Sequence, residues 1–597
     1  MKRIILSIVA VVCVNIGLAQ ERFTIGDLTY EVIDSNRVEV SECDDYSTAV
    51  VIPEKVTIKG KTYIVTVIGY CAFLNSDTLE SVVIPSSVTT ICMNAFKGCR
   101  KLESVRLSNG LKAILDYAFY ECSNLRFIDI PNSVETIGIA VFKGCSSFDT
   151  FAIPPSVRSI GTNAFHNTAF FNNQNNWTNK VLCKDNCLLS VDTTLSGEYS
   201  IAEGIRLIAG GAFEECNALT SVVISNSVKS IGHCAFAHCD NLTSISIPNS
   251  VKEIGSDAFR DCRSLISAII PDSVSIIESF VFEGCSSLTS VVIHNNVVSI
   301  GYGAFEACTA LTSFSIPKSV QHIDNRAFIN TGYYNDKSNW NGNVLYKDDC
   351  LLSADTLISG DYIVNENTQL ISNSAFSDCH RLISVSLPNS ITTIPHGMFV
   401  YCYNLTTVNI PNSIDTIGES AFYYCTKLES ITLPSSINSI ECNAFFGCSS
   451  LTSINLPEGI TNIGSGVFIA CSNLSALYIP NSVKSIGEYA FMACTNLSSI
   501  NITDSITTIE YATFWDCKNL KDIVIPSNVY TIKDYAFYGC DNLANVICLS
   551  QDPPILEKEV FPYPNATTLQ VPRGSLERYK ASDWNKYFEG RIVEIEE

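Results

Sequence analysis

The chain has 597 residues, 46% apolar and 16% charged, with a net charge of -22 and an isoelectric point near 4.8. One compact core does not grow to this length, and the apolar content excludes a disordered chain. The acidic balance argues against nucleic acid and anionic membrane surfaces as partners and suits a long, soluble surface.

Lys2-Arg3 precede an apolar run over residues 4–14, and Gly17-Leu18-Ala19 forms a small-residue cleavage site. This reads as a signal peptide over 1–19, cleaved near Ala19. Val12 stands where a lipid-attachment motif needs a small residue, so lipidation at Cys13 is not expected. No later stretch reaches the ~20 apolar residues of a membrane span, so no membrane insertion is expected. The expectation is a secreted, periplasmic or cell-surface protein. No sorting motif precedes Glu597, which favours a periplasmic or released form.

Residues 20–66 do not repeat. Apolar alternation at 23–25, 28–33, 38–40 and 63–65, split by turn residues, predicts a β cap. From 67 to 545 one pattern recurs, anchored by Phe73, Phe96, Phe119, Phe142, Phe165, Phe213, Phe236, Phe259, Phe282, Phe305, Phe328, Phe376, Phe399, Phe422, Phe445, Phe468, Phe491, Phe514 and Phe537. These 19 copies are spaced by 23 residues, except for two intervals of 48. A fixed period in this range with Leu, Ile and Val at set offsets predicts an α/β-type, leucine-rich repeat solenoid. In the copy over 242–262, Leu242, Ile245 and Ile247 alternate as a strand that ends at Pro248. Val251 and Ile254 begin a second extended piece. Ala258-Phe259 and Cys262 have the spacing of one helical or 3₁₀ turn. No coil buries its own core; stacking does so, at about 4.8 Å per coil, for a rod or arc of roughly 90 Å.

In an exported protein, 26 cysteines first suggest disulfides. Sixteen, however, fall three residues after an anchoring Phe, and the other three copies carry Ser76, Thr168 and Thr331 there. The column selects small side chains. Stacked coils hold equivalent Cβ atoms near 4.8 Å, beyond the ~3.8 Å a disulfide prefers. The expectation is a ladder of buried free thiols acting as small hydrophobes.

The Ile-Pro-x-Ser-Val-x-x-Ile-Gly and Ala-Phe-x-x-Cys series, as in 479–483, Ile486-Gly487 and 490–494, resembles the BspA-like leucine-rich repeat family. The resemblance covers about residues 67–545. It implies an exported or surface scaffold, with adhesion to host proteins or cells, and carries over no catalytic site.

The two long intervals are matching islands, about 168–212 and 331–375, with equivalent positions 163 apart. Each holds a Val-Leu-x-Lys-Asp-x-Cys-Leu-Leu stretch expected to form a protruding hairpin. Each also holds candidate binding aromatics: Trp177 and Tyr199, Trp340 and Tyr362. Cys183 and Cys187 are near enough for a local bond, but Tyr346 replaces the first in the second island. After 545 the pattern degrades into an expected C-terminal cap over 546–597, with a helix near 575–581 and a last strand near 591–595.

Seven histidines are scattered over different coils. His233-Cys234 and His238-Cys239 are close in sequence, but Cys239 belongs to the thiol column, so no metal site is expected. No phosphate loop, nucleophile elbow or metalloprotease motif occurs, and carboxylate pairs such as Asp44-Asp45 and Asp348-Asp349 are turn residues. No catalytic site and no cofactor are expected. The outward strand positions form a flat Ser/Thr column that β packing alone accounts for. The residue after the anchoring Phe is more informative. It is charged in several early coils, as in Lys97, Lys143, Arg260 and Glu283, then becomes Val400, Tyr423, Phe446, Ile469, Met492, Trp515 and Tyr538, with Tyr401 and Tyr424 one place further on. An apolar stripe of this kind, about 30 Å long at the coil spacing, is the candidate partner-binding surface unless bending or the C-terminal segment covers it. A protein ligand is the leading expectation and a glycan the alternative.

Overall fold

The computed structural model describes residues 22–43, 47–562 and 567–596. The signal peptide, Cys13 and Asp44-Asp45 lie outside them. The chain divides into two compact units: one runs through Val320 and also takes Arg326–Asn335, and the other is Gln321–Asn325 with 336 onward.

The first unit opens with β1 (Arg22–Ile25), β2 (Leu28–Val32) and β3 (Arg37–Cys43), an antiparallel meander. β3 then pairs in parallel with β6 (Lys61–Ile68), and β6 with the first repeat strand. β4 (Ala49–Val51) pairs with Ser81–Val83 as any coil strand would, so coil geometry starts before the repeat is regular. β5 (Lys55–Ile58) is antiparallel to β6.

Most coils in both units contribute to two parallel ladders. On one side the outward Ser/Thr strands pair at a shift of 23, as Ser81 with Ser104 and Ser384 with Thr407. On the other side two-residue strands pair in the same way, as Thr90, Ala113, Thr136 and Ser159 do. The Phe side is a chain of turns rather than a regular helix. Its bonds have the 3₁₀ spacing expected, as from Cys99 N to Phe96 O at 3.2 Å. They are interrupted because the residues two before and two after every anchoring Phe have positive φ, as Asn94 (58°) and Gly98 (74°) do around Phe96. The reversals free the N–H groups of these positions to bond the next coil: Asn94 to Asp116 O at 3.0 Å, Phe96 to Ala118 O at 2.8 Å and Gly98 to Tyr120 O at 2.7 Å. Backbone groups that one turn cannot satisfy are thus satisfied between coils.

Inside, the phenylalanines stack with ring centroids 4.7–5.7 Å apart and near-parallel planes. None of the 25 described cysteines is in a disulfide. The thiol column does more than fill space. In 14 coils the Sγ donates to the carbonyl of the preceding coil's anchoring Phe at 2.9–3.2 Å, as Cys425 does to Phe399 O. That oxygen already accepts one backbone N–H and has a second lone pair facing the core. Cys216 and Cys379, the first of the column after each island, lack a preceding Phe at this offset. Thr168 and Thr331 bond the carbonyl of Phe165 and Phe328 in their own coil, each at 2.8 Å.

Each island forms the expected hairpin, and its second strand joins the coil ladder. Trp177–Thr178, Val181–Lys184 and Cys187–Val191 form an antiparallel set whose last strand pairs in parallel with Leu207–Ile208. The hairpin turn takes positive φ at Asp185 (47°) and Asn186 (61°), as a type I′ turn requires. The second island repeats this arrangement with Trp340–Asn341, Val344–Lys347 and Cys350–Ala354.

At the C-terminal end the coil pattern continues once more. Phe561 stacks on Phe537 at 5.3 Å, although 24 residues separate them. Asn545–Cys548, Thr568–Val571 and Ile592–Glu594 extend the strand ladder. Helices Leu576–Lys580 and Trp584–Phe588 cover the end, and the buried Trp584 donates to Pro554 O at 2.8 Å.

Two predictions follow from these columns. Phe422→Ala should cost about 3–5 kcal/mol in denaturant unfolding, whereas Cys425→Ser, which keeps a donor, should cost only about 1 kcal/mol. Burial pushes the thiols of Cys216, Cys308 and Cys494 up to about 12. The unfolded thiol ionises near pH 8.5, so this stability is full below about 8.5 and is lost as pH rises toward the folded value, by up to about 1.4 kcal/mol per pH unit per thiol. Reduced protein should therefore show a falling denaturation midpoint from about pH 8.5 to 10.5; a flat profile would contradict the buried ladder.

Candidate functional site

The nine stripe residues all lie in the second unit. None is in the core: Tyr401, Tyr424 and Tyr538 are 36–37% exposed, and Val400, Tyr423, Phe446, Ile469, Met492 and Trp515 are half-buried. Their placement follows from the turn backbone. The carbonyl after each anchoring Phe accepts the N–H of the preceding coil, as Tyr423 O does from Tyr401 and Phe446 O from Tyr424, at 2.8 and 2.7 Å. These bonds hold the outward side chains in rows at the coil spacing.

The rings gather into two clusters. In the first, Tyr423 stacks on Phe446 at 4.7 Å, Tyr424 lies 5.0 Å from Tyr423 and 5.4 Å from Phe446, and Tyr401 meets both tyrosines. Tyr403 and His380, stacked on each other at 4.9 Å, extend it. In the second, Trp515 stacks on Tyr535 at 5.4 Å and meets Tyr538 edge-on, while Tyr535 and Tyr489 both contact Tyr511. Ile469 and Met492 occupy the coils between. Tyr403, Tyr489, Tyr511 and Tyr535 escape a reading of the one column after the Phe, because they sit at other offsets. A scan of every turn position for aromatic runs would find them.

Tyr401 (φ 59°), Tyr424 (56°), Tyr489 (58°) and Tyr535 (59°) hold the left-handed positions. Other coils place Gly98, Gly144, Asn75 or Asn167 there, which fit at little cost. A bulky side chain in this region costs about 1–2 kcal/mol. Gly447 leaves room for the Tyr424 ring: a Cβ on it would lie 2.9 Å from Tyr424 Cδ1.

Carboxylates border the second cluster. Glu488, Glu510, Asp534, Glu557 and Glu559 occupy the turn positions just before the anchoring Phe. Two lysines stand among them: Lys533, 2.5 Å from Glu510, and Lys558, between Glu557 and Glu559 in the chain. Glu559 and burial push the Tyr535 hydroxyl up, and burial with Glu488 does so for Tyr489. These phenols are therefore protonated donors at neutral pH. Burial beside Asp534 also raises the Glu557 carboxyl.

The island aromatics are placed differently. Trp177 is half-buried, donates to Phe171 O at 2.8 Å and meets the Phe171 ring edge-on. Trp340 is buried, with Lys337 Nζ 4.0 Å over its ring. Tyr199 packs on Phe213 at 5.9 Å and Tyr362 on Phe376 at 5.7 Å. The Tyr362 hydroxyl meets that of Tyr346 at 2.9 Å. Cys183 is exposed and Cys187 buried. Among the described residues no helix is long and apolar enough to cross a membrane.

Comparison with known proteins bears on the fold and its family. No curated protein matches the chain. A Bacteroides ovatus leucine-rich repeat protein of known structure is 25% identical, covering 78% of this chain and 99% of its own, at a TM-score of 0.22. One from Bacteroides capillosus is 34% identical over 22% of this chain and 96% of its own, at a TM-score of 0.21. A leucine rich cell surface protein from Faecalibacterium prausnitzii is 18% identical over 97% of this chain and 96% of its own, at a TM-score of 0.20. The BspA type leucine-rich repeat region, in 6 copies, matches residues 63–182, 206–334, 360–475 and 461–580. With most of its length matched by that repeat, the chain belongs to the BspA-type leucine-rich repeat family.

Proposed function

We propose that this chain is an exported, non-enzymatic scaffold that binds a polypeptide partner on the aromatic face of its second unit, as an adhesin toward proteins of a host or of other cells. The observation that carries the reading is the set of tyrosines kept in left-handed backbone positions, where glycine or asparagine fits at less cost. Packing does not require them, since other coils of the same repeat do without. Tyr and Trp, amphipathic and fairly rigid, are the residues that dominate protein-binding surfaces. The carboxylates along one edge favour a partner segment bearing Lys or Arg, whose cations meet both the ring faces and the acids. Export rests on Lys2-Arg3, the apolar run and Gly17-Leu18-Ala19. The glycan alternative gains no support from the island tryptophans, which pack against their own island.

The test is to screen the mature protein side by side on panels of purified extracellular proteins and of glycans. Polypeptide ligands should be found, and the combined Tyr423→Gln, Phe446→Gln and Trp515→Gln variant should keep its circular dichroism while losing about 100-fold in affinity. Glycan-only binding, unchanged affinity or an unfolded variant would refute the reading. Binding should also weaken between about 0.1 and 1 M salt, as the Debye length falls from about 10 to 3 Å. Tyr424→Asn is the sharper single change. Relief of the left-handed tyrosine roughly offsets its lost ring contacts, so stability should stay within about 1 kcal/mol while affinity drops.

A further inference from the structure

Outside the aromatic face, the described residues bring three metal-ligating side chains together at one place, in the first unit. His233, Cys234 and Asp257 offer one ligand atom each, all within 4.8 Å of one another. The sequence cluster of two histidines and two cysteines does not form this group. Cys239 joins the thiol ladder, bonding Phe213 O at 3.1 Å, and His238 turns to Asp261 at 3.5 Å. Asp257 arrives instead from the next coil, at the position 23 residues after Cys234.

The arrangement around these side chains is specific. His233 Nδ1 lies 2.8 Å from Ser256 O, to which it donates, so Nε2 carries the lone pair, and it accepts the Cys234 thiol. Nε2 lies 3.2 Å from Cys234 Sγ. A backbone carbonyl on the far ring nitrogen is the outer-shell contact that orients metal-binding histidines. Arg260 holds Asp257 Oδ1 at 3.2 Å, while Oδ2 faces the His233 ring, 3.5 Å from Nδ1. Cys234 is not part of the core column. It holds a left-handed position (φ 54°) that other coils give to Asn94, Asn163 or Gly211, so the repeat does not require a cysteine there.

We propose that His233, Cys234 and Asp257 form a binding site for one divalent transition-metal ion of the zinc class, with solvent water in the remaining position. One nitrogen, one sulfur and one carboxylate oxygen, completed by a water, suit such an ion in four-coordinate geometry. Binding takes the thiol proton away to solvent and leaves a metal–thiolate bond, with no change of oxidation state. The ion ties two successive coils together and draws the Cys234 thiol out of reach of oxidants.

The test uses the reduced, full-length protein, stripped with chelator and titrated with Co²⁺, then with Zn²⁺ in competition. The expected result is a saturable thiolate-to-cobalt charge-transfer band at one equivalent, displaced by zinc. Cys234→Ser should abolish the band. His233→Gln and Asp257→Asn should weaken binding at least about tenfold, the smallest loss that even outer-shell partners bring. His238→Gln, outside the group, should leave the titration unchanged. Circular dichroism of each variant separates loss of the site from loss of the fold. Absence of the band in the wild type overturns the proposal, as does a band that survives Cys234→Ser or both other substitutions in folded protein.

Discussion

The coils of this protein are held together at the carbonyl of the anchoring phenylalanine. That oxygen closes the turn of its own coil through a backbone N–H and accepts the thiol of the next, as Phe399 O does from Cys425. The same residue's ring stacks on its neighbours and its N–H bonds the following coil. Three interactions thus converge on one residue per repeat. A cysteine serves where alanine would leave the second lone pair unmet and a larger polar side chain would not fit the column. Burial keeps these thiols protonated, as at Cys308 and Cys494, and a protonated thiol is both a donor and a poor nucleophile. Many cysteines in one chain need neither disulfides nor redox chemistry to account for them.

The constraint also explains where variation is allowed. To present its N–H groups to the next coil, the turn reverses its backbone on either side of the Phe, and the reversal points the residue after the Phe to solvent. Its carbonyl is used and its side chain is free. The repeat therefore leaves one outward column open to any residue and two left-handed columns open to any residue that can bear the strain. Many early coils fill these with charge or with small residues, though Tyr117, Tyr120 and Phe280 also stand there, and several coils of the second unit place aromatics in both kinds. Because the rows repeat at the coil spacing, adjacent rings come into mutual contact without further design, as Tyr423 and Phe446 do.

Much of this was legible in the sequence, because a 23-residue period fixes which residues share a column whatever the backbone does locally. The phenylalanine stack, the free thiols and the two ladders follow from spacing alone. The thiol–carbonyl bond did not, since spacing says which side chains are neighbours and not where a carbonyl points. The left-handed positions were hidden by tolerance: Asn, Asp, Gly, Cys, Glu, Tyr and Ala all occur there, so no residue type marks them. The coil ending at Phe561 was missed because one inserted residue breaks the period while the stack continues. The grouping of His233 and Cys234 with Asp257 joins residues one period apart, and no motif in a single copy records it.

The islands show how a repeating stack is interrupted without leaving open ends. In the first, Phe151 replaces the usual aliphatic strand residue and stacks on Phe165 at 4.6 Å, with Phe170 edge-on beyond it. In the second, Phe314 stacks on Phe328 at 4.4 Å, with Tyr333 edge-on. Each ladder thus ends against rings supplied by its own coil and the start of its island. Each then restarts under a tyrosine, Tyr199 over Phe213 and Tyr362 over Phe376, whose ring stands where the missing phenylalanine would be and whose hydroxyl can reach a polar partner. The thiol column breaks at the same two places, at Cys216 and Cys379, because both columns depend on the same absent residue. An insertion that removes one anchor must replace a ring on each side of the gap and can dispense with the thiol bond. The aromatics of the islands thus have a reason internal to the stack, whereas the aromatics of the second unit's turns answer to no such demand.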